Sequence, residues 1–233
     1  PFTIIAVVSF MILAASVPSI KIDFNSTTTY IVLAAIVVAV IIEARVMNRI
    51  GLLFPLMLFG MFLTASTELG TNQWTNALLE NAGIDPMIIL VVVTGIMALG
   101  RFFAGPLIHR LNPSGVLLGS AIFSVIGLYS LSIAEGATAT LGAAVLFAIG
   151  VCYFWPTMLG FVAEYIPKSG ALGLSIMGGA GMVATSMVLP IMGRSIDTAG
   201  PQLTLRYMTV LPIILVVIFI GLVIYMRGKK HEG

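Results

Sequence analysis

Charge is what this sequence has least of. Lys, Arg, Asp and Glu make up 9% of its 233 residues, against about 25% in water-soluble domains, which excludes an ordinary solvated surface. Cysteine occurs once, as Cys152, so no disulfide framework is available. The two histidines, His109 and His231, lie far apart in the chain and add nothing to a metal site. No GxxxxGK[ST] loop is present, so a nucleotide-driven pump would need another subunit. HExxH, GxSxG and close carboxylate pairs are also absent, which argues against an enzyme and leaves no cofactor or metal to expect. A net charge of +2 is too small to suggest nucleic acid.

What is present is apolar. Hydrophobic residues form 59% of the chain, in continuous runs rather than alternating ten-residue segments, which sets aside a membrane barrel. Lipid offers no partners to backbone N–H and C=O groups, so the runs are predicted to be helices. Eight spans are expected, at 2 to 18, 29 to 45, 51 to 71, 86 to 105, 115 to 134, 138 to 161, 171 to 193 and 207 to 226. Most reach or approach the roughly 20 residues needed to cross hydrocarbon. The chain starts at Pro1 without a basic n-region, and is read as a fragment lacking its true start.

Basic residues orient these spans. With the connection after the second span in the cytoplasm, Arg45, Arg49, Arg101, Arg110, Lys168, Arg227, Lys229 and Lys230 share that side. Lys21, Arg194 and Arg206 fall on the other. Eight of eleven on one side matches the positive-inside rule and puts the C-terminus in the cytoplasm.

Polar residues then mark two helix faces. In "FLTASTELGTNQW", Thr64, Thr67, Glu68, Thr71, Asn72 and Thr75 recur at helical offsets. An acid at membrane depth costs a few kcal/mol or more and usually faces the protein interior or a wet path; the plainer alternative is an interfacial acid in outside water. At about 1.5 Å per residue, Glu68 is expected roughly 25 Å from residue 51, in the outer part of the bilayer. On the span from 138, Tyr153, Thr157, Gly160 and Glu164 recur at helical spacing beside Trp155 and Pro156. Aromatic rings beside hydroxyls suit a sugar, with its apolar C–H faces and polar rim, and Asn72, Gln73 and Trp74 offer the same chemistry. The plainer alternative is that these aromatics are core or interfacial anchors.

Three further features complete the reading. Pro156 and Pro190 lie inside spans, where each removes a backbone donor and a neighbour or cavity must satisfy the freed carbonyl. In "ALGLSIMGGAGMVATSMVLP", Gly173, Gly178, Gly179 and Gly181 allow another helix to approach closely, or form a surface that slides. "GRFFAGPLIHRLNPSG" reads as a short basic cytoplasmic turn with Arg101 and Arg110 at its ends. Pairing of Arg101 or Arg110 with Glu164 would make a cytoplasmic gate; anchoring to anionic headgroups is the alternative.

"GRFFAGPLIHRL" resembles the loop signature of the major facilitator superfamily, with Gly105, Leu107 and Arg110 in place and His109 where an acid is usual. The stretch from about 51 to 227, including "TASTELGTNQW" and "GVCYFWPTMLGFVAEYIPKSGALGLSIMGGAGM", is similar to the C-terminal six-helix half of a permease of the fucose and hexose proton symporter branch. The resemblance implies an all-α membrane protein of two six-helix bundles around a central cavity with alternating access. Residues 1–50 would carry two helices of the N-terminal half and the loop between halves, 51–227 the C-terminal bundle, and 228–233 a cytoplasmic tail. The expected activity is symport of a small polar solute, a sugar first, across a bacterial inner membrane. The helices before residue 1 would be its partners, Thr64, Glu68, Thr71, Asn72, Gln73, Trp74, Tyr153, Trp155 and Thr157 its solute-binding residues, and Glu68 its candidate proton-coupling acid. A sensor or structural protein that keeps the fold without transporting is the competing expectation.

Overall fold

The computed structural model describes residues 51–74 and 85–230. The spans expected at 2 to 18 and 29 to 45 lie outside the described residues, as does Thr75. The chain divides into two compact units, residues 1–59 and 60–233. Nearly all the described residues belong to the second unit, and only the start of the first helix lies before it.

Every described element is helical. In chain order they are α1 (Leu53–Gln73), α2 (Pro86–Phe102), α3 (Ala104–Ile133), α4 (Ala137–Val151), α5 (Phe154–Tyr165), a 3-10 turn (Pro167–Ser169), α6 (Gly170–Ala199), α7 (Pro201–Met208) and α8 (Val210–Lys230). Among the described residues, five stretches are long and apolar enough to cross a membrane: Leu53–Gln73, Arg110–Ile133, Ala137–Tyr165, Pro167–Ala199 and Pro201–Gly228. The shorter α2 is also apolar. The described part of the chain is therefore all-helical and of membrane character.

Local chemistry sets the helix ends. Asp85 caps α2 by accepting a hydrogen bond from the Met87 amide at 2.8 Å, and Pro86 occupies the first turn, where its missing N–H costs nothing. The expected turn between the spans ending at 105 and starting at 115 is instead helical from Ala104, broken only at Asn112. Asn112 is the only non-glycine residue with positive φ among those described, at φ 59° and ψ 157°. Gly200 holds nearly the same conformation, φ 87° and ψ 166°, and each precedes a proline that starts the next helical piece. A side chain in that region costs on the order of 1–3 kcal/mol, so Asn112→Gly is expected to raise unfolding stability by about 1 kcal/mol. Thermal unfolding in detergent is the measurement, and a destabilised variant would contradict the strain.

Glycine also controls the tightest helix crossing. The Cα of Gly127 in α3 lies against the Phe147 backbone in α4, and Gly150 in α4 lies against the Ser124 backbone in α3. Neither site has room for a methyl group, which is how small residues let membrane helices touch along their backbones. Around this crossing Leu117, Ala121, Leu128, Ala144 and Ala148 are all buried. On the far side of α3, α8 adds buried Leu215, Phe219 and Leu222, while Arg206 of α7 lies 5.9 Å over the Tyr129 ring.

Helix α1 is enclosed. From Gly60 onward its buried residues include Met61, Leu63, Thr64, Ala65, Ser66, Thr67, Glu68 and Thr71, which cover all sides of the helix. Gly60 and Thr64 meet Met158 of α5, while Gly70 meets Val188 and Met192 of α6. With Ala65 beside Gly181 and Trp74 on Gly193, the contacts with α6 advance in the same chain direction as α1.

Candidate functional site

Arg101, Glu68 and the junction between α4 and α5 form one cluster. Pro156 has no N–H, so the carbonyl four residues earlier, that of Cys152, loses its helical donor. Cys152 and Tyr153 accordingly separate α4 from α5. Arg101 reaches in from α2 and fills the gap, its Nε–H donating to the Cys152 carbonyl at 3.0 Å. The freed carbonyl is thus satisfied by a neighbour, as the sequence requires. The same guanidinium donates from Nη2 to Glu68 Oε1 at 3.1 Å, making the one ion pair among the described residues.

The two partners differ in burial. The Glu68 side chain is 4% exposed and that of Arg101 is 40% exposed. Glu68 Oε2 is buried without a partner. Taking a charge out of water costs several kcal/mol, so the carboxylate depends on Arg101, whereas Arg101 can still reach a more polar environment. Around them, the Cys152 thiol donates to the Met97 carbonyl at 3.4 Å, and the absence of a Cβ at Gly100 leaves room for the Cys152 sulfur and the Tyr153 ring.

This geometry ties both charges to the α4–α5 junction. Arg101 lies in the last turn of α2, just before the break at Phe103, and its guanidinium reaches Glu68 and the Cys152 carbonyl. Glu68 sits opposite Cys152, near the middle of the Ala137–Tyr165 run and about 20 Å from either end. Along its own helix it lies five residues before the end of α1 at Gln73. Of the expected pairing of Arg101 or Arg110 with Glu164, Arg101 binds Glu68 instead, while Glu164 is exposed near the end of α5 and Arg110 is exposed on α3. The sequence could not fix this, because helical offsets say which residues share a face but not which helices become neighbours.

The remaining candidate residues are dispersed. Thr64 donates to the Met61 carbonyl at 3.0 Å, with Met158 Sδ at 3.6 Å. Ser66 and Thr67 likewise donate to carbonyls of their own helix. The hydroxyl ladder is thus largely spent on local backbone bonds. Thr71 is buried, Asn72 half-buried and Gln73 exposed. Trp74 donates from Nε1 to the Leu189 carbonyl at 3.1 Å, its ring lying on Gly193. The Trp155 ring edge lies on Gly181, beside Ala65. Both indoles therefore seat on glycines of α6, of which Gly181 belongs to the motif and Gly193 lies beyond it. Nothing lies within 4 Å of a Cβ position at Gly178 or Gly179.

Some polar capacity remains unused. Trp155 Nε1 and the Thr157 hydroxyl are buried without partners, like Glu68 Oε2. Tyr153 is half-buried at the α4–α5 junction, and Gly160 is exposed, so Tyr153, Thr157, Gly160 and Glu164 do not form one uniform face. Among the described residues no cluster of His, Cys, Asp and Glu could hold a metal ion. No protein-family profile, curated protein or solved structure matches this chain.

Proposed function

We propose that the chain is part of a secondary transporter, moving a small polar solute, with a sugar as first candidate, by alternating access. Glu68 is its proton-coupling acid. The observation that carries this reading is a carboxylate buried inside an apolar helical bundle and bound through one oxygen to a half-exposed arginine. Intramembrane ion pairs are expensive and characteristically mark transport paths. Trp155 Nε1 and the Thr157 hydroxyl, buried and unpaired, supply further hydrogen-bonding capacity for a polyhydroxylated solute.

The major facilitator resemblance is consistent with six crossings between residues 51 and 227, five from the long apolar stretches and one begun by α2. With Arg101 drawn into the bundle, the basic tally without it still favours a cytoplasmic C-terminus, seven residues against three (eight less Arg101). The non-transporting alternative has its own support, because the Thr64, Ser66 and Thr67 hydroxyls are spent on backbone and both tryptophans seat on glycine.

Uptake separates the two readings. In proteoliposomes carrying the full-length protein, a panel of labelled hexoses, pentoses and polyols is offered with and without an imposed proton gradient. At least one solute is expected to accumulate with the gradient, and Glu68→Gln is expected to lower that accumulation about tenfold or more while sparing downhill exchange. Binding without uptake of any solute would favour the sensor reading, and uptake indifferent to Glu68→Gln would remove its coupling role.

A further inference from the structure

The geometry points to Arg101 as a positioning residue that makes the Glu68 ion pair and the α4–α5 junction one mechanical unit. The inference goes beyond transport and uses no solute, so it can fail or succeed independently of the proposed function.

Two acceptors compete for one side chain. Pro156 leaves the Cys152 carbonyl without an amide, and Arg101 Nε–H takes that amide's place at 3.0 Å. Nη2 of the same planar group holds Glu68 at 3.1 Å. A guanidinium presents its N–H groups in a rigid fork, so a shift of Arg101 that loses one acceptor strains or breaks the other bond. The junction is a natural place for motion, because Cys152 and Tyr153 interrupt an otherwise continuous run from Ala137 to Tyr165. Whatever releases Arg101 from Glu68 also loosens the strut at the break. Ala65, one turn before Glu68, lies beside the Gly181 that receives Trp155, so movement there would reach α6.

Cys152 reports on this directly, being the one cysteine in the sequence, buried, and at the junction itself. The measurement is the maleimide labelling rate of the Cys152 peptide, read by mass spectrometry in the full-length protein and normalised to the rate after unfolding in SDS. The paired variant Glu68→Gln with Arg101→Met removes both charges together and leaves the Cys152 carbonyl unfilled. Its labelling is expected to rise about tenfold over wild type, the scale of an unsatisfied buried carbonyl. Adding Pro156→Ala restores an N–H at the position that carbonyl needs and is expected to return labelling to within about twofold of wild type. Pro156→Ala alone should label no faster than wild type.

A second variant covers failure of the first to fold. Arg101→Lys keeps a cation for Glu68 but has no N–H along its stem, so it is expected to label several-fold faster, again reversed by Pro156→Ala. Labelling unchanged in whichever of these variants folds, or a rise that Pro156→Ala fails to reverse, would overturn the assignment.

Discussion

Arg101→Met is expected to destabilise the folded bundle by about 3 kcal/mol, the lower end of what removing one member of a buried ion pair costs. The loss has two parts. Glu68 is left as a buried carboxylate with no cation, and the Cys152 carbonyl loses the donor that replaced its missing amide. The second part contributes about 1 kcal/mol or more by itself. Glu68→Gln should cost less, about 1 kcal/mol, because Gln can still accept from Nη2 and the partly exposed Arg101 can turn toward a more polar environment. Combining Glu68→Gln with Arg101→Met should cost less than Arg101→Met alone, since no buried charge is then left unpaired. Unfolding in detergent with increasing denaturant orders the three variants. A Glu68 substitution more damaging than Arg101→Met would reverse the assignment of which partner depends on the other.

The second large effect is expected where two backbones touch. Alanine at Gly127 would meet the Phe147 backbone, and alanine at Gly150 would meet the amide and hydroxyl of Ser124. The nearest obstacle at each site is backbone, so α3 and α4 must move apart. Each substitution is expected to lose about 2–3 kcal/mol, as overpacking a close interface typically does. The pair together should prevent accumulation of folded protein. Gly178→Ala is the control, because nothing lies within 4 Å of its Cβ position; it should be neutral or gain up to about 1 kcal/mol of helix propensity. Should Gly150→Ala unfold at the same denaturant concentration as Gly178→Ala, the close crossing would not be a determinant of stability.

Much of the fold was legible because lipid leaves a chain few choices. The sparse charge and long apolar runs require helices, and described helices cover each span expected from residue 51 onward. The error at 105 to 114 came from reading Gly105, Asn112, Pro113 and Ser114 together as a turn. Only Asn112 leaves helical geometry, since Pro113 is acceptable in the first turn of the next helical piece. The glycines of α6 were visible as a motif, whereas Gly127 and Gly150, which form the tighter crossing, sit in sequences with no comparable cluster. A lone glycine carries no sign of whether a partner helix will lie against it.

By itself, the sequence determined that this protein has membrane-type helices, that Glu68 would need a special reason to be there, and that Pro156 would leave a carbonyl without its helical donor. These follow from composition and covalent structure: the cost of exposed backbone in hydrocarbon, the cost of a buried charge, and the missing N–H of proline. Only the tertiary structure decided that Arg101 answers both needs at once, from a helix whose closest point lies far along the chain. Helical periodicity assigns residues to faces, but the pairing of faces depends on how side chains of many helices fill space together, and no local pattern encodes that.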